Sequence, residues 1–180
     1  MASKVTVHYF DIPGRAEAIR WIFSYAKGTD WTDHRVLRNQ WDSVKEATPF
    51  GQVPYAILRY MARQYNLMGS DAWEDAQVDA LADYIAGTTY NSAIISWKYK
   101  VKLKIMNKAN QNFLVGEKLT WVVFLLTVVL DKAVHKKEDL VKPYPLLKAH
   151  SAHVHNLKGV KDWREKYPVL EPRKYNYNDK

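Results

Sequence analysis

The sequence predicts an α/β domain followed by an all-α domain, and two patterns carry that reading. Val5, Val7 and Tyr9 alternate with Thr6 and His8, Pro13-Gly14 breaks the chain, Arg15 to Phe23 has helical spacing, and Trp31 to Leu37 alternates again. Strand, helix and strand in that order form a β-α-β unit, which demands a parallel pair and a crossover. From Phe113 onward the periodicity is helical instead: Thr120 to Lys132, Tyr144 to Leu157 and Val160 to Lys166, before a polar tail that contains proline. With 180 residues the chain is long enough to bury a hydrophobic core.

Between these blocks, Trp41 to Ala47 reads as a short helical patch and Thr48 to Pro54 as a loop. Pro54 pushes its preceding residue towards extended geometry. Ala56 to Tyr65 has apolar residues at helical spacing, with Gly69 marking its end. Residues 68–75 read as a linker, dividing the chain into an N-terminal domain at 1–67 and a helical domain at 76–180. Ala76 to Ala86 is helical, with Val78, Leu81, Ala82 and Ile85 on one side, and Gly87-Thr88-Thr89 interrupts it. From Trp97 to Ile105 apolar residues alternate with Lys98, Lys100, Lys102 and Lys104. That is a strand signature, although length and context could still impose a helix. There is no internal repeat.

The absence of cysteine excludes disulfides, thiol nucleophiles and cysteine zinc sites, so any thiol chemistry must use a thiol brought by a ligand. The opening MASKVTVHYF lacks the apolar run and small-residue cleavage site of a secretion signal, which predicts a cytoplasmic protein. Leu119 to Leu130, the most apolar run, falls short of the roughly 20 residues that a bilayer requires and is read as a buried helix, with no membrane partner. The net charge of +8 is uneven: residues 1–96 carry 9 basic and 11 acidic side chains, residues 97–180 carry 18 and 8. Without a nucleic-acid motif, that excess reads as a solvated basic face rather than a nucleic-acid surface. His150, His153 and His155 at offsets of three and five do not share one helix face, so they read as exposed histidines and no metal is expected. No phosphate loop, paired catalytic carboxylates or nucleophile elbow is present.

His8-Tyr9-Phe10, Gly14-Arg15-Ala16-Glu17, Trp41, Lys45 and Pro49-Phe50-Gly51-Gln52-Val53-Pro54 together resemble the glutathione-binding domain of sigma-like cytosolic glutathione transferases. Phe113 to Trp121 and Lys142-Pro143-Tyr144-Pro145 resemble the helical domain of the same family, particularly its nematode members. The resemblance implies a thioredoxin-like α/β domain followed by a helical one. It also implies a homodimer that joins glutathione, as co-substrate without a further cofactor, to small hydrophobic electrophiles. Tyr9 matches the family's tyrosine that donates its hydroxyl to the glutathione sulfur and so favours the thiolate. By composition alone, a strand tyrosine beside an aromatic is more often core.

Arg15 resembles an arginine near the thiolate, where a fixed positive charge would stabilise the sulfur. An ion pair with Glu17 or another surface carboxylate is the alternative. Trp41 and Lys45 match residues that contact the glycyl end of glutathione, against the plainer reading of an amphipathic helix with a surface lysine. Val53-Pro54 matches the family's proline bend, where a cis-proline lets the backbone of Gln52 and Val53 pair with the peptide ligand like a neighbouring strand.

Relative to that family, the N-terminal domain is shortened. After Pro54 only Tyr55 stands where relatives carry a β-hairpin and a Gln-Ser pair that holds the γ-glutamyl carboxylate. The family's acidic residue on the next domain's first helix corresponds to Gly87, with Asp83 one turn earlier, and Val123 replaces a capping aspartate. Thr120 is expected to cap that helix, with Leu119 and Phe124 as a hydrophobic staple. The expectation is therefore a glutathione transferase with an impaired site. The alternatives are a non-catalytic ligand-binding or structural descendant, or an incomplete isoform of an active enzyme.

Overall fold

The computed structural model describes residues 5–27, 30–46, 56–89, 113–136 and 138–167. Residues 50–54, with the proline bend, and the lysine-rich stretch 98–104 lie outside what is described. The chain divides into two compact units, residues 1–58 with 158–180 and residues 59–157.

In the first unit, β1 (Val5–Phe10) and β2 (Trp31–Val36) pair in parallel, with Val5 opposite Trp31 and Phe10 opposite Val36. The crossover between them is α1 (Glu17–Lys27). The expected β-α-β unit is present because each strand alternates: Val7 and Trp31 are buried while Thr6, His8, Thr32 and His34 are exposed, and only Val36, at the end of β2, is buried out of phase. On the exposed face His8 and His34 sit opposite each other with ring centroids 4.8 Å apart. A 3₁₀ turn (Arg38–Gln40) leads into α2 (Trp41–Lys45).

Helix α7 (Lys158–Lys166) completes this unit by packing on α1. It starts two residues before the expected Val160. The approach requires glycine, since a Cβ on Gly159 would fall 1.9 Å from the carbonyl oxygen of Ser24. Around it the rings of Phe23, Trp31, Trp163 and Tyr167 follow one another at centroid spacings of 5.4, 5.1 and 4.3 Å. Such contacts add about 0.5–1.5 kcal/mol each beyond the area they bury.

Helix α3 (Ala56–Gln64) ends before the expected Gly69. Asn66 takes a left-handed φ of +55° and lets the Leu67 N–H reach the Ala62 carbonyl at 2.8 Å, which closes the helix. Helix α4 (Ala72–Thr89) differs from expectation at both ends. It starts four residues early because Asp71 Oδ1 accepts the Glu74 N–H at 2.8 Å and Glu74 Oε2 accepts the Ser70 N–H at 2.7 Å, a reciprocal cap. It also runs through Gly87, which the sequence reading took as an interruption. A glycine inside a helix costs only about 1 kcal/mol relative to alanine, and helix continuity outweighs that.

The second unit is built on α5 (Trp121–Lys136), buried on all sides from Trp121 to Leu130 as its composition predicts. It packs against α4, α6 (Pro145–Asn156) and the 3₁₀ turn Glu138–Val141. Thr120 does not cap α5 through its side chain: its buried hydroxyl has no hydrogen-bond partner among the described residues. The Trp121 N–H instead donates to the Leu67 carbonyl at 2.9 Å, so a neighbouring segment satisfies the helix start. Among the described residues no helix is long and apolar enough to cross a membrane.

The histidines of α6 also depart from expectation. His150 is buried and neither ring nitrogen has a partner among the described residues. His153 is exposed and His155 meets Asp131 at 3.0 Å. Leu147, His150 and Val154 share the apolar side of the helix at spacings of three and four, which carries the imidazole into the core.

Burial, with a smaller contribution from His153, pushes His150 down to about 4 from an ordinary 6.5. Between those values the unfolded chain binds a proton that the folded chain refuses, so stability is full above 6.5 and is lost as pH falls. Moving from pH 7 to pH 5 is expected to cost about 2 kcal/mol through this group. Urea unfolding at both pH values should show that loss in the wild type and a smaller one in His150→Met. Identical losses would show that His150 is not held neutral.

Candidate functional site

The site is organised at the end of β1 and the loop that follows. Tyr9, half-buried, is the penultimate residue of β1, and the hydroxyl end of its ring packs against Gly14. A Cβ at Gly14 would sit 2.6 Å from Tyr9 Cε1 and 2.7 Å from its hydroxyl oxygen, and Gly14 has φ +46°. Both facts require glycine here. The next residue turns its backbone inward: the Arg15 N–H donates to the Tyr9 hydroxyl oxygen at 3.1 Å. With that lone pair occupied, the hydroxyl keeps its own proton available to a ligand atom.

Phe10 continues the arrangement. Its ring lies 5.7 Å from Tyr9 on one side and 5.0 Å from Trp41 on the other, so α2 is tied to the end of β1 by aromatic contact. Lys45 lies one helical turn beyond Trp41 and is exposed. The structure thus gathers Tyr9, the Arg15 backbone and Trp41 around one strand end, with Lys45 on the same short helix. Gln52, Val53 and Pro54 fall outside the described residues.

Glu17, a possible surface partner for Arg15 on sequence grounds, is buried. Its Oε1 accepts the indole N–H groups of Trp21 at 3.0 Å and Trp163 at 2.9 Å, and its Oε2 accepts from Arg20 Nη1 at 3.2 Å. Arg20 is fully buried, and its Nε donates to Asp33 Oδ1 at 2.9 Å. Asp33 Oδ2 accepts from Arg35 at 2.7 Å, and Arg35 in turn donates to Asp11 at 2.6 Å while its guanidinium lies over the Tyr167 ring. Burial works against the charge on Arg35, but the hydrogen bonds to Asp11 and Asp33 outweigh it and raise its pKa.

Sequence reading singled out neither Arg20 nor Asp33. Two signals pointed to them. Asp33 and Arg35 hold the inward parity of β2 set by Trp31, where apolar residues are expected, and Arg20 stands three residues after Glu17 on the buried side of α1. Among the described residues no group of three or more histidine, aspartate or glutamate side chains could hold a metal.

Comparison with known proteins places the chain in a family. The family model described as glutathione S-transferase, C-terminal domain, matches residues 83–167. Probable glutathione S-transferase 7 of Caenorhabditis elegans is 31% identical over 91% of this chain and 96% of its own length. The chain belongs to the glutathione S-transferase family.

Hematopoietic prostaglandin D synthase of Gallus gallus is similar at 32% identity, over 89% of this chain and 94% of its own. The solved prostaglandin synthase D of Nilaparvata lugens superposes with a TM-score of 0.79 at 28% identity, covering 92% of this chain and 98% of that one. The glutathione S-transferase fold, a thioredoxin-like domain followed by a helical domain, is thus the fold of this chain, as its sequence predicts. Glutathione S-transferases are enzymes that use glutathione as co-substrate, and this chain is a glutathione transferase by membership of that family.

Gly14→Ala tests the close approach. The substitution adds about 1–2 kcal/mol of backbone strain at positive φ. It also forces the Tyr9 ring aside, and a displacement of about 1 Å can lower turnover about 10²-fold. Glutathione-dependent conjugation of a chromogenic electrophile should fall by that order in molecules that circular dichroism shows to be folded. Unchanged turnover would mean that the ring does not depend on Gly14.

Proposed function

We propose that Tyr9 activates the thiol in this glutathione transferase, and that the protein conjugates glutathione to small hydrophobic electrophiles. The observation that carries the assignment is the 3.1 Å hydrogen bond from the Arg15 N–H to the Tyr9 hydroxyl, with the ring seated on Gly14. A hydroxyl that already accepts from a fixed backbone donor has its O–H aimed by default at the next acceptor, which in the complex is the glutathione sulfur. Tyrosine ordinarily titrates near 10, so at neutral pH it is a donor, and donation to the charged form of the thiol lowers the thiol pKa.

The thiol proton leaves to solvent, the sulfur electron pair forms the new carbon–sulfur bond, and the electrophile's leaving group departs with the electrons of the bond that breaks. In an addition, the adjacent carbon takes up a proton instead.

In the same reading Arg15 supplies positive charge near the sulfur. Trp41 and Lys45 contact the glycyl end of glutathione, with the lysine paired to its carboxylate, and Gln52, Val53 and Pro54 present backbone to the peptide. The tripeptide is bound by residues 1–67, the electrophile by the helical residues 76–180, and 68–75 links the two. The family resemblance supports a homodimer in the cytoplasm.

Isothermal titration with glutathione, repeated on Tyr9→Phe, tests the assignment. Binding by both proteins is expected, with kcat/KM in the variant lower by about 10²-fold or more. Absence of glutathione binding at millimolar concentration by a folded protein would replace the enzyme reading with a non-catalytic, ligand-binding one. Full activity of Tyr9→Phe would remove Tyr9 from the mechanism.

A further inference from the structure

Arg20 lies behind the site and fills a different role from the groups that meet glutathione. Its Nη1 donates to the Ile12 carbonyl at 2.8 Å and leans towards the Pro13 carbonyl at 3.5 Å, and its Nη2 donates to the Phe10 carbonyl at 3.3 Å. The Phe10 carbonyl ends β1 and the other two belong to the loop between β1 and α1, the segment that delivers Gly14 to the Tyr9 ring and the Arg15 N–H to its hydroxyl. The guanidinium carbon itself stands 5.8 Å from the Tyr9 ring centroid.

One side chain thus ties three carbonyls together, of which that of Phe10 also accepts the Ile12 N–H at 2.7 Å and that of Pro13 the Glu17 N–H at 2.9 Å. A guanidinium is suited to this because its donors form a rigid planar fork, so the carbonyls it meets are fixed in direction as well as distance. The fork is itself held. Glu17 takes Nη1 at 3.2 Å and Asp33 takes Nε at 2.9 Å, which holds the guanidinium from two sides. Glu17 is aimed in turn by the indole N–H of Trp163, on the last described helix of the chain.

We propose that Arg20 is a positioning residue for the Tyr9 hydroxyl, gripping the Phe10 to Pro13 carbonyls so that the Arg15 N–H stays on the tyrosine oxygen, with Trp163 bracing the grip through Glu17. The proposal rests on the reading of Tyr9 as the thiol activator. It goes further by making the activator's geometry depend on a residue that touches neither glutathione nor the reacting atoms, and on a helix about 150 residues away in sequence.

The test uses the full chain with Arg20→Met, Arg20→Lys and Trp163→Phe, and Tyr9→Phe as reference. Two quantities are read: kcat and KM for glutathione in conjugation, and the ¹⁹F resonance of Tyr9 in fluorotyrosine-labelled protein, assigned by its absence in Tyr9→Phe. Arg20→Met should lower kcat about 10²-fold with KM for glutathione within about threefold, since the tripeptide's anchors remain while the hydroxyl is misplaced. Its Tyr9 resonance should shift.

Arg20→Lys, which can meet one or two carbonyls without the fork, should recover part of both. Trp163→Phe keeps an aromatic ring on Trp31 and Tyr167 but removes one donor, and should lower kcat by about threefold to tenfold, in line with one lost hydrogen bond to a charged group acting through an intermediary.

If Arg20→Met does not fold, Arg20→Lys and Trp163→Phe decide the matter. Variants that melt at lower temperature yet keep wild-type kcat per folded molecule and an unshifted Tyr9 signal would overturn the proposal and leave Arg20 a purely structural residue. Full turnover by Tyr9→Phe would instead remove the catalytic reading. The fluorine shift would then still report whether Arg20 holds the ring.

Discussion

The buried guanidinium of Arg20 is the constraint around which the first unit is arranged. A charge without access to water is tolerated only when paired and hydrogen-bonded, and Arg20 is served by two carboxylates and by three carbonyls from the end of β1 and the loop that follows. Breaking such a buried pair by removing one partner typically costs about 3–5 kcal/mol, a large share of the stability of a domain this size. Because Glu17 comes from α1, Asp33 from β2 and the carbonyls from the connecting loop, satisfying one side chain fixes the relative placement of all three. The chain of contacts continues from Asp33 through Arg35 to Asp11 and Tyr167, and from Glu17 to Trp163, so the C-terminal helix joins the β-α-β unit by the same logic.

The second unit follows a different principle. Its centre is a helix whose first ten residues are buried regardless of direction, and specificity there comes from packing rather than from charge. Of the polar groups that enter this core, the Thr127 hydroxyl donates to the Val123 carbonyl at 2.9 Å, while the Thr120 hydroxyl, the Trp121 indole N–H and the His150 ring carry no hydrogen-bond partner among the described residues. The buried imidazole is consequently held neutral. At the exposed side of the same unit Arg59 meets Asp79 and Asp83, and its pKa is raised by the hydrogen bond to Asp79 despite some burial. Exposed pairs of this sort add at most about 1 kcal/mol. The contrast separates a unit organised by a buried charge network from one organised by apolar packing.

The candidate site is built largely of backbone. The atom that meets the Tyr9 hydroxyl is a peptide N–H, and the residue that admits the ring is glycine because it has no side chain. Such a site tolerates wide sequence divergence around it while keeping its geometry. That is consistent with a chain that shares only about a third of its residues with relatives and still superposes on their fold. The family's motif letters Gly14-Arg15-Ala16-Glu17 therefore encode a loop shape first, and side-chain chemistry second.

The order of the described strands and helices and the burial of α5 were legible in the sequence because each rests on local periodicity. Helix ends were less so: α4 began early at an Asp71-Glu74 cap, and α3 ended at Asn66 rather than Gly69, since several nearby residues could each serve as a boundary. His150 was misplaced because three histidines at offsets of three and five do not reveal which of them lies on the apolar side. For Arg20 only the spacing from Glu17 is local; its other partners are spread over residues 10 to 33 and Trp163 reaches Glu17 from far along the chain, so the network as a whole was not legible. By itself the sequence determined which elements form and which residue types the site could use. Only the tertiary structure decided which charges are buried together, because desolvation and pairing depend on what surrounds a side chain in space and not on its neighbours along the chain.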